Sequence, residues 1–275
     1  MENSSAESKK VLVTGGTSGL GLELVKLFLR KGYYVVVTGR KSLTLPGFED
    51  RFKLFKIDFS DLQLTAETIK QICDCHRFDI VINNAGILSP HDFCTTKDGL
   101  EYTFQVNFIS HLLINEIIIR KQSDLKPLRI AAVSSPVHRI AKCETTWLRD
   151  GLTYNPIMAY SNSKLYLSLM CSHLATIYHN INLECFSFVP GVFGSGIYRM
   201  RGKTFRFLYR IAAPFMRRPS KVAKVLFEIL TNKELTNGAV YNIRKGEKPV
   251  RELNSTLKDE FWKVNYDLIA PFITR

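Results

Sequence analysis

Residues 11–39 read VLVTGGTSGLGLELVKLFLRKGYYVVVTG, two apolar runs on either side of a segment with helical periodicity. Val11–Gly15 and Tyr33–Gly39 show no alternation of apolar and polar positions, which predicts strands buried on both faces, as in a parallel sheet covered by helices. The pattern continues outward. Further strands are predicted at Phe52–Ile57, Asp79–Asn83, Arg129–Ser134, Ile181–Val189 and Gly238–Asn242, with helical segments between them. Right-handed crossovers arrange such a series into a single doubly wound parallel sheet with helices on both faces, an α/β fold. No repeat interrupts the alternation, so residues 9–275 read as one domain behind a polar leader at 1–8. The main irregular insertions are Pro136–Pro156 and the stretch after Ser195, and long connections at the carboxyl ends of strands are where such sheets build their sites.

With 45% apolar and 23% charged residues in 275, the chain has enough apolar material for a core, which excludes disorder as its main state. Its 38 Lys and Arg outnumber 25 Asp and Glu, for a net charge of +13. Nine of the basic residues fall between Gly194 and Phe227, a stretch with no acidic residue. Such a balance points to an acidic partner: nucleic acid, an anionic membrane or a phosphorylated ligand. The six cysteines show no C-x-x-C spacing and no matching histidines, which argues against a zinc site and a disulfide scaffold and for a reducing compartment. No metal is expected. Met1–Lys10 carries no apolar signal region, and every later apolar run breaks before the roughly 18 positions a spanning helix needs, so a cytoplasmic location is expected.

Thr14-Gly15-Gly16-Thr17-Ser18-Gly19-Leu20-Gly21 joins the first strand to the first helix, where a tight turn and exposed helix N–H groups hold a pyrophosphate. Gly15, Thr17, Ser18, Gly19, Leu20 and Gly21 are therefore candidate cofactor contacts. A dinucleotide site with an acidic residue at the end of the second strand binds a ribose hydroxyl, whereas arginine accepts a 2′-phosphate. Here that strand ends Gly39-Arg40-Lys41, so Arg40 and Lys41 favour NADP(H) over NAD(H).

Tyr160-Ser161-Asn162-Ser163-Lys164 follows Pro156 in a segment that reads as a helix, which puts Tyr160 and Lys164 on one face. A phenol with a pKa of about 10 is a poor base at neutral pH, but an adjacent ammonium favours the phenolate. Tyr160 is then equipped to exchange a proton with an alcohol or carbonyl oxygen while hydride moves to or from a nicotinamide. Ser134-Ser135 ends a buried strand at the carboxyl edge, where a hydroxyl can hydrogen-bond the substrate oxygen.

These motifs, with Asn83-Asn84-Ala85-Gly86, Asn107 and Pro190-Gly191, stand in the order found in short-chain dehydrogenases/reductases, and the chain resembles that family from about Lys9 to Asn242. Ser135-x-x-His138 and Pro190-Gly191-x-x-x-Ser195 resemble its retinol-dehydrogenase-like branch. The resemblance implies a Rossmann fold with Tyr160 as acid/base, Lys164 on the nicotinamide ribose and tuning Tyr160, and Ser135 on the substrate oxygen. It implies that Asn107 kinks its helix and holds a relay water. Further cofactor contacts implied are Asp58 at the adenine, Asn84 on the adenosine side, and Val192 with Ser195 at the carboxamide. His138 reads as a branch marker and local hydrogen-bonder. Phe188-Val189 stands where many relatives have Val-His, and Ser195 where threonine is commoner.

In the family the region corresponding to 195–219 forms a substrate lid. Here it interleaves Phe205, Phe207, Leu208, Tyr209, Ile211, Phe215 and Met216 with arginines, which suits a lipophilic substrate and a peripheral contact with an anionic membrane surface through residues 194–227. Nucleic acid is set aside because no recognition motif accompanies the basic run. The expected activity is NADP(H)-dependent interconversion of a carbonyl and an alcohol on a retinoid, steroid or fatty or aryl aldehyde. The alternative is a catalytically weak NADP(H)-binding regulator or scaffold with the same fold. A homodimer is implied through helices spanning Leu100–Arg120 and Pro156–Tyr178, and residues 250–275 either cap the substrate pocket or cover the sheet.

Overall fold

Alternate residues of the central strands feed two separate cores, one on each face of a single sheet. The computed structural model describes residues 8–122, 127–143, 151–191, 217–231, 234–243, 246–250 and 255–273. Its strands are β1 (Lys10–Thr14), β2 (Tyr34–Gly39), β3 (Phe52–Lys56), β4 (Ile80–Asn83), β5 (Leu128–Val133), β6 (Leu183–Val189), β7 (Val240–Asn242) and β8 (Gly246–Lys248). They lie in the order β3-β2-β1-β4-β5-β6-β7-β8. Every neighbouring pair is parallel except β7 and β8, where Val240 opposes Lys248. The chain runs outward from β1 to β3 and then returns to place β4 on the other side of β1. That reversal opens a crevice at the carboxyl ends of β1 and β4.

One face packs Val11, Val13, Val35, Val37, Ile80 and Ile82 against α1 (Gly19–Arg30) and α6 (Pro219–Thr231). The other packs Leu12, Val36, Val81 and Ile130 against α2 (Leu62–Cys75), α4 (Ser110–Gln122), α5 (Pro156–Ile177) and α7 (Ser255–Ile273). Helix α1 shows what decides these positions. Leu24, Phe28 and Leu29 are fully buried, and each such side chain contributes about 1.5–3 kcal/mol. Its N-cap Ser18 makes no side-chain cap bond, so packing fixes the helix and its first N–H groups stay available. Gly32 at φ +87° turns the chain out of α1 into β2.

Helix α5 begins where Pro156 predicted. Asn155 caps it, Oδ1 accepting from Ile157 N at 2.9 Å and Met158 N at 3.1 Å, with Pro156 in the first turn. Ahead of α4 the chain makes one turn, α3 (Tyr102–Phe104), and then a π-helical stretch over Gln105–Ile109.

Several boundaries differ from the sequence expectation. Strand β6 starts at Leu183, because Ile181 still closes a turn onto Tyr178 O. Gly238 sits at φ +78°, so β7 starts at Val240. Strand β8 was not expected, since Gly-Glu-Lys is short, exposed and unpatterned. Among the described residues the C-terminal helix packs on α4 and α2. Phe261, Trp262 and Ile269 are buried there, Trp262 stacking on His173 at 3.9 Å and 9°. Tyr266 and Tyr178 donate to the buried Glu116 carboxylate at 2.7 and 2.8 Å, and Arg120 reaches it at 3.0 Å. As a result, Ser110–Ile119 and Ser161–Cys171 are buried with no second chain present. Helix α7 thus lies over part of α4 and touches α5 through Phe261 on Tyr166 and Trp262 on His173.

Candidate active site

The carboxyl ends of β1, β4, β5 and β6 border a cleft that opens to solvent. Gly15 begins its floor at φ +64°, and a Cβ added there would fall 2.8 Å from Ala85 Cα. Only glycine lets the turn approach the strand end so closely. Thr17, Ser18, Gly19 and Leu20 continue along the cleft wall, with the uncapped N-terminus of α1 behind them. Gly21 is not in the wall. It lies beneath the turn, where a Cβ would meet Gly15 O at 2.5 Å, so its role is to seat the helix against the turn.

At the far end the wall is formed by Arg40, Lys41 and Asp58. Arg40 Nη1 lies 3.9 Å from Asp58 Oδ2, while Asp58 Oδ1 accepts from Ser60 N at 3.0 Å and Ser60 Oγ at 2.9 Å. Asn84 lines the cleft too, but its amide is committed inward, Nδ2 donating to Thr14 O at 2.9 Å and Gly15 O at 3.3 Å. It holds the glycine turn from the cleft wall. The cradle that a Cβ would fill, the available amides of α1 and the cations at the mouth fit a phosphorylated dinucleotide.

Ser135, Tyr160 and Lys164 meet at the inner end of the same cleft. Lys164 is 4% exposed; its Nζ donates to Val133 O at 3.1 Å and sits 5.8 Å from the Tyr160 ring centre. Burial lowers its pKa to about 8. The two serines at the end of β5 have divided their tasks. Ser134 Oγ donates to Lys164 O at 2.7 Å and anchors α5. Ser135 leaves its hydroxyl to the cleft, while its carbonyl accepts from His138 Nδ1 at 2.6 Å. His138 is thus the local hydrogen-bonder expected, and burial lowers its pKa.

Asn107 is fully buried in the π-helical stretch and does not line the cleft. Its Nδ2 donates to Ile87 O and to Ser163 Oγ, both at 3.0 Å, and its Oδ1 accepts from Ile87 N at 2.8 Å. Ser163 Oγ in turn donates to Tyr160 O at 2.8 Å. The Asn107 side chain therefore fastens α5 to the segment after β4, one residue beyond Gly86. Val192, Ser195 and the expected lid up to residue 216 lie outside the described residues.

Sequence reading missed three supporting groups: Thr14, whose hydroxyl accepts from Asn84 N at 2.9 Å and Ala85 N at 3.0 Å; Ser163; and His111. Thr14 opens the glycine motif and Ser163 lies inside the Tyr-Lys motif, so their positions were visible. Their partners, distant in sequence, were not.

A model of the short chain dehydrogenase family matches residues 9–204. Retinol dehydrogenase 12 of Mus musculus is 25% identical over 98% of this chain and 88% of its own length. A 4-hydroxyisoleucine dehydrogenase mutant complexed with NADH and succinate aligns with a TM-score of 0.68 at 19% identity, covering 86% of this chain and 98% of that one. The Pseudomonas aeruginosa RhlG/NADP active-site complex aligns with a TM-score of 0.64 at 19% identity, covering 88% and 98%.

Proposed function

This chain belongs to the short chain dehydrogenase family, in its retinol-dehydrogenase-like branch, and from that premise we propose that it interconverts a lipophilic carbonyl and its alcohol with NADP(H) as cofactor. One observation carries the reading: Tyr160 and Lys164, on one face of α5, meet Ser135 in the cleft that also holds the glycine turn. When bound, the nicotinamide supplies or takes the hydride. Tyr160 gives its phenolic proton to the carbonyl oxygen in reduction and takes it back in oxidation. The Ser135 hydroxyl donates to that oxygen as negative charge develops on it. The Lys164 ammonium, held on Val133 O, favours the anionic form of the phenol. Asn107 acts through Ser163, which holds the Tyr160 backbone.

The cofactor preference rests on Arg40 and Lys41, two cations at the cleft mouth with no carboxylate at the end of β2. The lipophilic substrate class rests on Ile87, Val106, Val133 and Pro190 in the inner wall and on similarity to a retinol dehydrogenase. Among the described residues no helix is long and apolar enough to cross a membrane. Peripheral attachment would fall to the basic run at 194–227, which suits an anionic lipid surface.

The test follows NADPH absorbance with a panel of retinal, keto-steroids, medium-chain aldehydes and aryl aldehydes, wild type beside Tyr160→Phe. Consumption by wild type alone is expected. Equal consumption by both would overturn the assignment of Tyr160, and NADPH binding without consumption across the panel would favour the regulatory alternative.

A further inference from the structure

The hydroxyl of Thr14 and the backbone carbonyl of Asn107 are bridged by one imidazole. His111 Nδ1 lies 3.0 Å from Asn107 O and its Nε2 lies 3.1 Å from Thr14 Oγ1. The ring is fully buried, with Phe59 edge-on at 5.5 Å. A carbonyl oxygen only accepts, so Nδ1 carries the hydrogen. A neutral ring then leaves Nε2 as an acceptor, and its donor is the Thr14 hydroxyl.

Thr14 is suited to that direction. Its oxygen already accepts from Asn84 N and Ala85 N, which uses both lone pairs and leaves the proton for His111. The other acceptor in reach, Ile82 O at 3.2 Å, also receives Asn84 N at 3.0 Å and keeps a second lone pair, so His111 Nε2 at 3.1 Å is the nearer of two acceptors for the one Thr14 proton. A second proton on the ring would face an oxygen with no lone pair to offer. Burial and the nearby Lys164 charge also lower the His111 pKa, to about 4, and keep the ring neutral.

We propose that His111 is a positioning residue of the active site, which as the neutral Nδ1–H tautomer couples the hydroxyl at the base of the glycine turn to the Asn107 carbonyl. The chain of bonds runs from Thr14 through His111, Asn107 and Ser163 to Tyr160 O. It spans β1, the π-helical stretch and α5, the elements that carry the cofactor turn and the proton donor. Asn107 Oδ1 and Lys164 Nζ both flank Gly86, lying 3.3 and 3.2 Å from where a Cβ on it would stand. Displacement of Asn107 is therefore felt beside Lys164 as well as at Tyr160.

The functional half of this inference rests on the assignment of Tyr160 above; the tautomer does not. Long-range ¹⁵N–¹H correlation spectra of the labelled full chain at pH 7, with His111→Asn identifying the resonances that vanish, should show a protonated Nδ1 and a bare Nε2. A protonated Nε2 would overturn the proposal whether or not any substrate is turned over. His111→Asn keeps an N–H donor near Nδ1, and His111→Leu removes it. In the NADPH assay, His111→Leu should lower kcat by about tenfold, the worth of one well-placed hydrogen bond, with little change in NADPH affinity. His111→Asn should recover most of that loss. Equal loss of kcat in the two variants, or none in either, would overturn the positioning role. If His111→Leu does not fold, the tautomer and the His111→Asn rate still decide.

Discussion

Arg40 faces Asp58 across the outer end of the cleft, Nη1 to Oδ2 at 3.9 Å, with both side chains about half exposed. An exposed pair at that distance contributes little to stability, about 0–1 kcal/mol. It does set the charge that a cofactor phosphate meets. Arg40→Asp should weaken NADPH by at least about tenfold, since a charge-assisted hydrogen bond to phosphate is worth roughly 1.5–3 kcal/mol. NADH should change far less. Asp58→Asn removes the carboxylate that competes for Arg40 and should tighten NADPH. Fluorescence titration with both cofactors measures each effect, and equal losses of NADPH and NADH in Arg40→Asp would refute the 2′-phosphate argument.

Tyr160→Phe keeps the ring and removes the proton. General acid catalysis contributes about 10²–10⁴-fold, so turnover should fall by that factor while NADPH binding, followed by thermal shift, stays near the wild-type value. A loss of binding parallel to the loss of rate would mean that the phenol holds cofactor rather than moving a proton.

Burial lowers Lys164 from 10.5 to about 8, so its charge disappears as pH rises through about 8. In the cofactor-free enzyme kcat/KM for NADPH should therefore fall above that pH. Lys164→Arg carries a charge that does not titrate in this range, and its profile should stay flat there. The sign for stability is opposite. Between about 8 and 10.5 the unfolded chain holds a proton that the folded chain has released, so the penalty for burying this group, full below pH 8, is relieved across that window.

Trp262 is 6% exposed and stacks on His173. Replacement by alanine leaves a cavity under α7 and should cost about 3–5 kcal/mol, read as a lower midpoint in urea. A change below about 1 kcal/mol, the scale of a surface substitution, would show that α7 is not part of the core.

The sheet and the site were legible in the sequence to different depths. Buried parallel strands announce themselves as unbroken apolar runs, so VLVT and YVVV were placed to within a residue. Ser135, Tyr160, Lys164 and the glycine turn were visible because each motif is local. Asn107 was visible only as a polar interruption. In the π-helical stretch it bonds Ile87 and Ser163, partners that periodicity does not encode. Thr14 and His111 lie 97 residues apart and meet only in the folded chain. The cover over α4 left one trace, since the apolar residues of SHLLINEIIIR are spread around the helix instead of lying on one face, as in a helix enclosed on all faces. Residues 255–273 gave no matching sign, because their apolar positions complete α4 rather than the sheet.

The helix that closes over α4 is supplied by the chain itself, and the consequence is kinetic as much as structural. A cover brought by a second subunit departs on dilution, whereas a tethered one returns at an effective concentration set by its short connection to β8. The fold around Glu116 should thus be independent of protein concentration.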